Sequence, residues 1–75
     1  MTLEKIDDLC NKYFDTDVVC HVECMTHPGD KVQTWGCGFT TTLDCGTVEV
    51  EMVMVPQDMM TVFTDCLDEC NIEWK

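Results

Sequence analysis

Apolar residues open the chain at helical spacing. Leu3, Ile6, Cys10 and Tyr13 recur every three or four positions, joined by Leu9 and Phe14, while Glu4, Asp7, Asp8, Asn11 and Lys12 fall opposite. Thr2 stands where a capping hydroxyl is wanted, and Glu4 suits the positive end of a helix. The pattern predicts an amphipathic helix over 3–14. Asp15-Thr16-Asp17 breaks it.

The period then changes to two. Val18, Cys20, Val22 and Cys24 alternate with His21 and Glu23, which predicts a strand over 18–26. His27-Pro28-Gly29-Asp30 is a turn. A second strand is predicted over 32–42, with Trp35, Cys37, Phe39 and Thr41 on one face and Gly36 and Gly38 on the other. After a turn at Asp44-Cys45-Gly46-Thr47, residues 47–55 alternate again. Val48, Val50, Met52 and Met54 are expected inside, Glu49 and Glu51 outside. Pro56 ends this strand. A last helix is expected from about Asp58 to residue 72, its apolar stripe made by Met59, Phe63, Cys66, Leu67 and Cys70.

The predicted order is α-β-β-β-α over a single domain, 1–75. Short turns make the strands an antiparallel meander, and two helices can cover one face of that three-stranded sheet, an α+β fold. The open face would show His21, Glu23, Gln33, Glu49 and Glu51. This element order resembles that of the double-stranded-RNA-binding domain. The resemblance is architectural only, since Gln57 and Asp58 stand where such a domain carries lysines.

Charge changes the functional picture more than any motif. Fifteen acidic residues face four lysines, with no arginine, for a formal net charge of −11. Direct binding of DNA or RNA requires cations that displace counterions from phosphates, so it is excluded, and an anionic membrane surface is disfavoured on the same ground. The expected partner is a basic protein. Glu4 and Asp8, and Asp65 and Glu69, are like charges at i,i+4, each pair costing about 0.2–0.5 kcal/mol, and Asp65 and Asp68 repeat the arrangement at i,i+3. Solubility alone does not require so one-sided a surface.

In size, charge and compact α+β pattern the chain resembles the small acidic inhibitors made by bacteriophages and mobile elements, including anti-CRISPR proteins and other nucleic-acid mimics, although no diagnostic motif is present. The resemblance implies a non-enzymatic protein that blocks the basic site of a nucleic-acid-binding enzyme or complex. The residues carrying the contact would be Glu4, Asp7, Asp8, Glu49, Glu51, Asp65, Asp68 and Glu69. A second expectation is a small regulatory or assembly module, as a homodimer or with another partner, that uses its open sheet face or the edge of its second strand. A third is a cysteine-rich metal or redox protein.

Seven cysteines are many for 75 residues, and an odd number does not suit a closed disulfide framework. In a reducing compartment they serve as small buried hydrophobes. No cofactor and no dedicated metal site are expected. Cys20, His21, Cys24 and His27 cluster in sequence, but on a strand Cys20 and Cys24 lie about 13 Å apart. Cys66 and Cys70, at i,i+4 on a helix, face the same way and can share a metal. A redox switch would need an exposed thiol such as Cys45 in its turn, and no sequence feature supports one.

Catalysis has little basis. The chain has no serine, Gly36-Cys37-Gly38 does not open a helix as a phosphate loop would, and no EF-hand loop occurs. The six methionines suit irregular core space, Trp35 and Phe39 are expected in the core, and Trp74 either closes helix packing or anchors a partner. The first residues lack the basic and long apolar segments of a signal peptide, and no run of about 18 apolar residues occurs. With Met1 at its start the chain is expected to be a complete cytoplasmic protein.

Overall fold

The Thr2 hydroxyl accepts the backbone N–H of Lys5 at 3.2 Å and so starts the first helix, α1 (Leu3–Lys12). A computed structural model describes all 75 residues, Met1–Lys75. After α1 come β1 (Val19–Cys24), β2 (Thr34–Leu43), β3 (Gly46–Pro56), α2 (Gln57–Glu69) and a two-residue strand, β4 (Glu73–Trp74). The protein is α+β, with two helices and a four-stranded mixed sheet of order β3-β2-β1-β4. The expected antiparallel meander is present as β1-β2-β3. The fourth strand, parallel to β1, corrects the three-stranded expectation.

How α2 ends explains β4. The helix stops at Glu69 rather than near residue 72. Asn71 takes a left-handed conformation, φ 56°, and its N–H bonds to Asp68 O while that of Ile72 reaches Leu67 O at 2.9 Å. This is a Schellman ending, completed by the buried pair Leu67 and Ile72. It turns the chain back along β1, where Val22 N–H bonds to Lys75 O and Lys75 N–H to Cys20 O.

The core is one cluster on the helix side of the sheet, built from Ile6, Leu9, Cys10 and Tyr13, from Cys20, Cys37, Phe39 and Val55, and from Phe63 and Leu67. The Tyr13 ring stacks on Phe39 at 4.7 Å, and Phe63 meets Phe39 edge-on at 6.3 Å. Leu3 and Phe14, expected in the stripe of α1, are instead more than half exposed, at 59% and 55%. Leu3 is the first residue of α1, and Phe14 lies past its end, because the helix stops at Lys12 with Tyr13 as its cap rather than running to residue 14.

The largest correction concerns β3. Phe39 pairs with Glu51 but Thr40 pairs with Glu49, so Val50 is the extra residue of a bulge. A one-residue slip moves side chains to the opposite face. From the bulge onward, Glu51, Val53 and Val55 therefore face the helices. Met52 and Met54, expected inside, lie on the open face and are 48% and 47% exposed. Val48 and Val50 are exposed as well. Met25 and Met52 converge over Gly36, where an added Cβ would lie 2.8 Å from each side chain, so the absent side chain of Gly36 is what lets them meet.

Candidate functional site

The two helices that cover the sheet carry many of the chain's carboxylates. Ile6, Leu9 and Cys10 turn inward from α1, so Glu4, Asp7 and Asp8 must turn out. Phe63 and Leu67 do the same for α2 and leave Asp65, Asp68 and Glu69 exposed. The two helices pack together: Cys66 Sγ of α2 lies 3.8 Å from Asp7 Oδ1 of α1. Six of the eight carboxylates singled out from sequence thus share one helix layer.

Almost nothing neutralises them. None of the six is in a salt bridge: the single one of the chain joins Lys12, at the end of α1, to Glu51 at 3.0 Å. Asp68 accepts the Trp74 indole N–H at 2.9 Å. The last turn of α2 holds no basic residue. Asp68 and Glu69 therefore stand in the last turn of a helix, at its negative end, where a carboxylate is unfavourable.

The other two predicted carboxylates lie elsewhere. Glu49 is on the open sheet face, over Gly38 and near His21, Glu23 and Thr40. Glu51, expected outside, is on the helix side, where Tyr13 Oη donates to its Oε1 at 2.6 Å and Lys12 Nζ at 3.0 Å. The tyrosine hydrogen bond first, and the lysine second, hold its carboxyl below the usual range. Burial, then the bond to Glu51, pushes the Tyr13 phenol up.

The thiols divide into three groups. Cys20 and Cys37 are fully buried in the sheet, and the bond to Cys37 together with burial pushes the Cys20 thiol up. Cys24 and Cys45 are exposed. Hydrogen bonds with Thr26 and Gln33 draw the Cys24 thiol down. Cys10, Cys66 and Cys70 converge at the seam between α1 and α2, their sulfurs all within 4.8 Å of one another. Burial, then the neighbouring Cys66, pushes Cys10 up. The sequence cluster of Cys20, His21, Cys24 and His27 is not assembled: Cys20 points into the core, His21 lies on the opposite face, and His27 is in the exposed turn.

Two features escaped the sequence pattern. The sequence pattern places Cys10 in the apolar stripe of α1 and does not join it to Cys66 and Cys70. A cleft of about 250 Å³ between α2 and the β1–β4 edge is lined by Val22, Trp35, Met60 and Trp74. Trp35, expected in the core, is only partly buried there, and its indole N–H is held by Gln57. No helix is long and apolar enough to cross a membrane.

No protein-family model, curated relative or solved structure matches the chain.

Proposed function

We infer that this protein is a non-enzymatic, acidic protein-binding inhibitor, acting in the cytoplasm, that occupies the basic nucleic-acid-binding site of a partner protein or complex. What carries the inference is the helix layer. Glu4, Asp7 and Asp8 on α1 and Asp65, Asp68 and Glu69 on α2 are exposed together, and none of them takes part in the chain's single salt bridge. A layer that tolerates i,i+4 repulsion and an unfavourable helix end gains from a cationic partner what it loses alone.

The mechanism is competition. Rigid carboxylates on two packed helices present negative charge to a groove built for phosphates. The field of a chain with net charge −11 raises the encounter rate with a basic surface. The bound inhibitor then excludes nucleic acid sterically. It is a nucleic-acid mimic in the anti-CRISPR-like sense, and it needs no cofactor to act.

The test is capture from nuclease-treated lysate, elution by a rising salt gradient, and then displacement of the captured protein by added DNA or RNA. A nucleic-acid-binding partner that elutes with salt and is displaced by nucleic acid supports the inference. A partner released only by denaturant, or none at all, contradicts it.

A second function is favoured by a separate observation. Met52 and Met54 leave an apolar strip on the open sheet face, 48% and 47% exposed, beside the exposed bulge residue Val50. Such a strip suits a regulatory or assembly module that pairs with a second copy. The free edges for that pairing belong to β3 and β4, because β2 is bonded on both sides. A monomer by sedimentation at high concentration excludes it.

A further inference from the structure

Cys10, Cys66 and Cys70 make no sheet contact that requires a thiol, and they are not part of the acidic surface invoked above. Their arrangement has a ligand's geometry. Cys66 and Cys70 are i,i+4 on one face of α2, Cys10 is on the inward face of α1, and Asp7, i,i+3 from Cys10, stands at the exposed rim of the same seam. The two faces meet at the seam. The three sulfurs lie within 4.8 Å of one another, and Asp7 Oδ1 is 3.8 Å from Cys66 Sγ.

We propose that Cys10, Cys66 and Cys70, with Asp7 as the fourth ligand, form a closed structural zinc site that ties α1 to α2. Tetrahedral zinc with bonds of about 2.3 Å to sulfur and about 2.0 Å to oxygen sets sulfur atoms about 3.8 Å apart and a sulfur and oxygen about 3.5 Å apart. The three sulfurs need to close by no more than about 1 Å, and Asp7, already 3.8 Å from Cys66, must swing further in to reach the other two, which side-chain rotation supplies.

Three further facts favour a cation here. Cys70 caps α2 and Cys66 lies one turn earlier, so the ion would sit at the negative end of that helix. Asp65, Asp68 and Glu69 on the same last turns add negative potential without a basic residue to balance it. The chain is also small, and domains of this length gain most from a staple between elements. The carboxylate donor and the fourfold set select zinc over copper(I), which prefers thiolates alone.

Binding is a proton exchange without redox change. Each of the three S–H bonds gives its proton to solvent, its sulfur keeps the electron pair, and that pair becomes the bond to zinc. Asp7 binds as the carboxylate it already is. Three thiolates, one carboxylate and Zn²⁺ leave a site charge of −2. The acidic layer therefore keeps its sign when the metal is bound; Asp7 is the one carboxylate the two proposals share, and metal content and the cobalt spectrum test the site without reference to the inhibitor function.

The experiment uses the full chain, expressed and purified under reducing conditions without chelator. Metal content is measured by mass spectrometry, and cobalt(II) is titrated into the metal-free protein. The expected result is about one zinc per chain, and a cobalt spectrum with thiolate charge-transfer and the intense d–d bands of a tetrahedral site. C66S and C70S should lower zinc affinity by more than the about 10–100-fold that losing an outer-shell partner costs. D7N should weaken binding and change the d–d bands, while C24S and C45S leave both unchanged. The cobalt spectrum of the unaltered chain decides the matter even where a cysteine variant fails to fold. Metal-free protein that gives no charge-transfer band with cobalt overturns the proposal. So does a Cys10–Cys66 or Cys10–Cys70 disulfide in protein kept reduced, and so does a D7N variant that binds as the original does.

Discussion

The Tyr13 hydroxyl donates to Glu51 at 2.6 Å and so ties the end of α1 to β3 across 38 residues of sequence. The bond exists because the bulge at Val50 turns Glu51 toward the helices. Lys12 closes the same carboxylate from the solvent side. Glu51 is thus a structural acid in a chain whose other acids are almost all unpaired.

That bond gives a pH-dependent cost. The folded state holds the Glu51 carboxyl below its usual range, through Tyr13 first and Lys12 second, with Lys5 adding a weaker attraction. A depressed folded value contributes stability above the unfolded glutamate range, near about 4.3, and loses it as the pH falls through the folded value. Tyr13→Phe should cost about 1 kcal/mol at neutral pH, a charged hydrogen bond discounted for partial exposure. The cost should shrink below pH ~4. Urea denaturation of both proteins across that range measures it, and a cost independent of pH would assign it to packing against Phe39 instead.

Repulsion within the helix layer should make stability depend on salt. The like-charge pairs Glu4/Asp8, Asp65/Glu69 and Asp65/Asp68 together cost roughly 1 kcal/mol at low ionic strength. Raising the salt from about 0.01 M to about 0.15 M shortens the screening length from about 30 Å to about 8 Å. The melting temperature should rise by several degrees, since ~1 kcal/mol shifts it by about 4–8 °C for a domain of this size. Circular dichroism melts at fixed pH report this. A melting temperature that falls with salt would mean that the Lys12–Glu51 pair outweighs the repulsion.

The last strand should be a local closure and not part of the global fold. Ending the chain after Ile72 removes the two backbone bonds of Lys75 to Val22 and Cys20 and the indole bond of Trp74 to Asp68. It keeps Ile72 and the Schellman turn. Amide exchange at Val22 should accelerate at least tenfold, while amides of β2 keep their protection. Faster exchange throughout the sheet would show that β4 supports the whole core.

Much of this fold is legible in the sequence because its signals are local. Thr2 as a cap, the stripe of Ile6, Leu9 and Cys10, and the alternation of Val18, Cys20 and Val22 each settle an element by themselves. The face of β3 is not legible. From Val50 to Val55 every residue but Glu51 is apolar, so a period of two fits either face, and the bulge decides. Glu51 looks like a surface acid until Tyr13 and Lys12 are placed beside it. β4 is too short to carry a pattern, and it depends on Asn71 adopting a positive φ. Within the candidate site, the six helix carboxylates follow from helical periodicity alone. That Cys10 joins Cys66 and Cys70 does not follow, because it depends on how two helices distant in sequence are packed.

The most direct test of the central claim compares two charge-matched variants in capture of the salt-eluted partner. One carries Glu4→Gln, Asp8→Asn, Asp65→Asn and Glu69→Gln, all on the helix layer and outside the thiol site. The other carries Glu23→Gln, Asp44→Asn, Glu49→Gln and Glu73→Gln, which lie off that layer. Both remove four negative charges. The helix-layer variant should lose binding by at least 100-fold and elute at much lower salt, while the other stays within a fewfold of the original. Equal loss in both would reduce the interaction to net charge, and loss confined to the second would move the contact off the helix layer and contradict the inhibitor surface assigned to it.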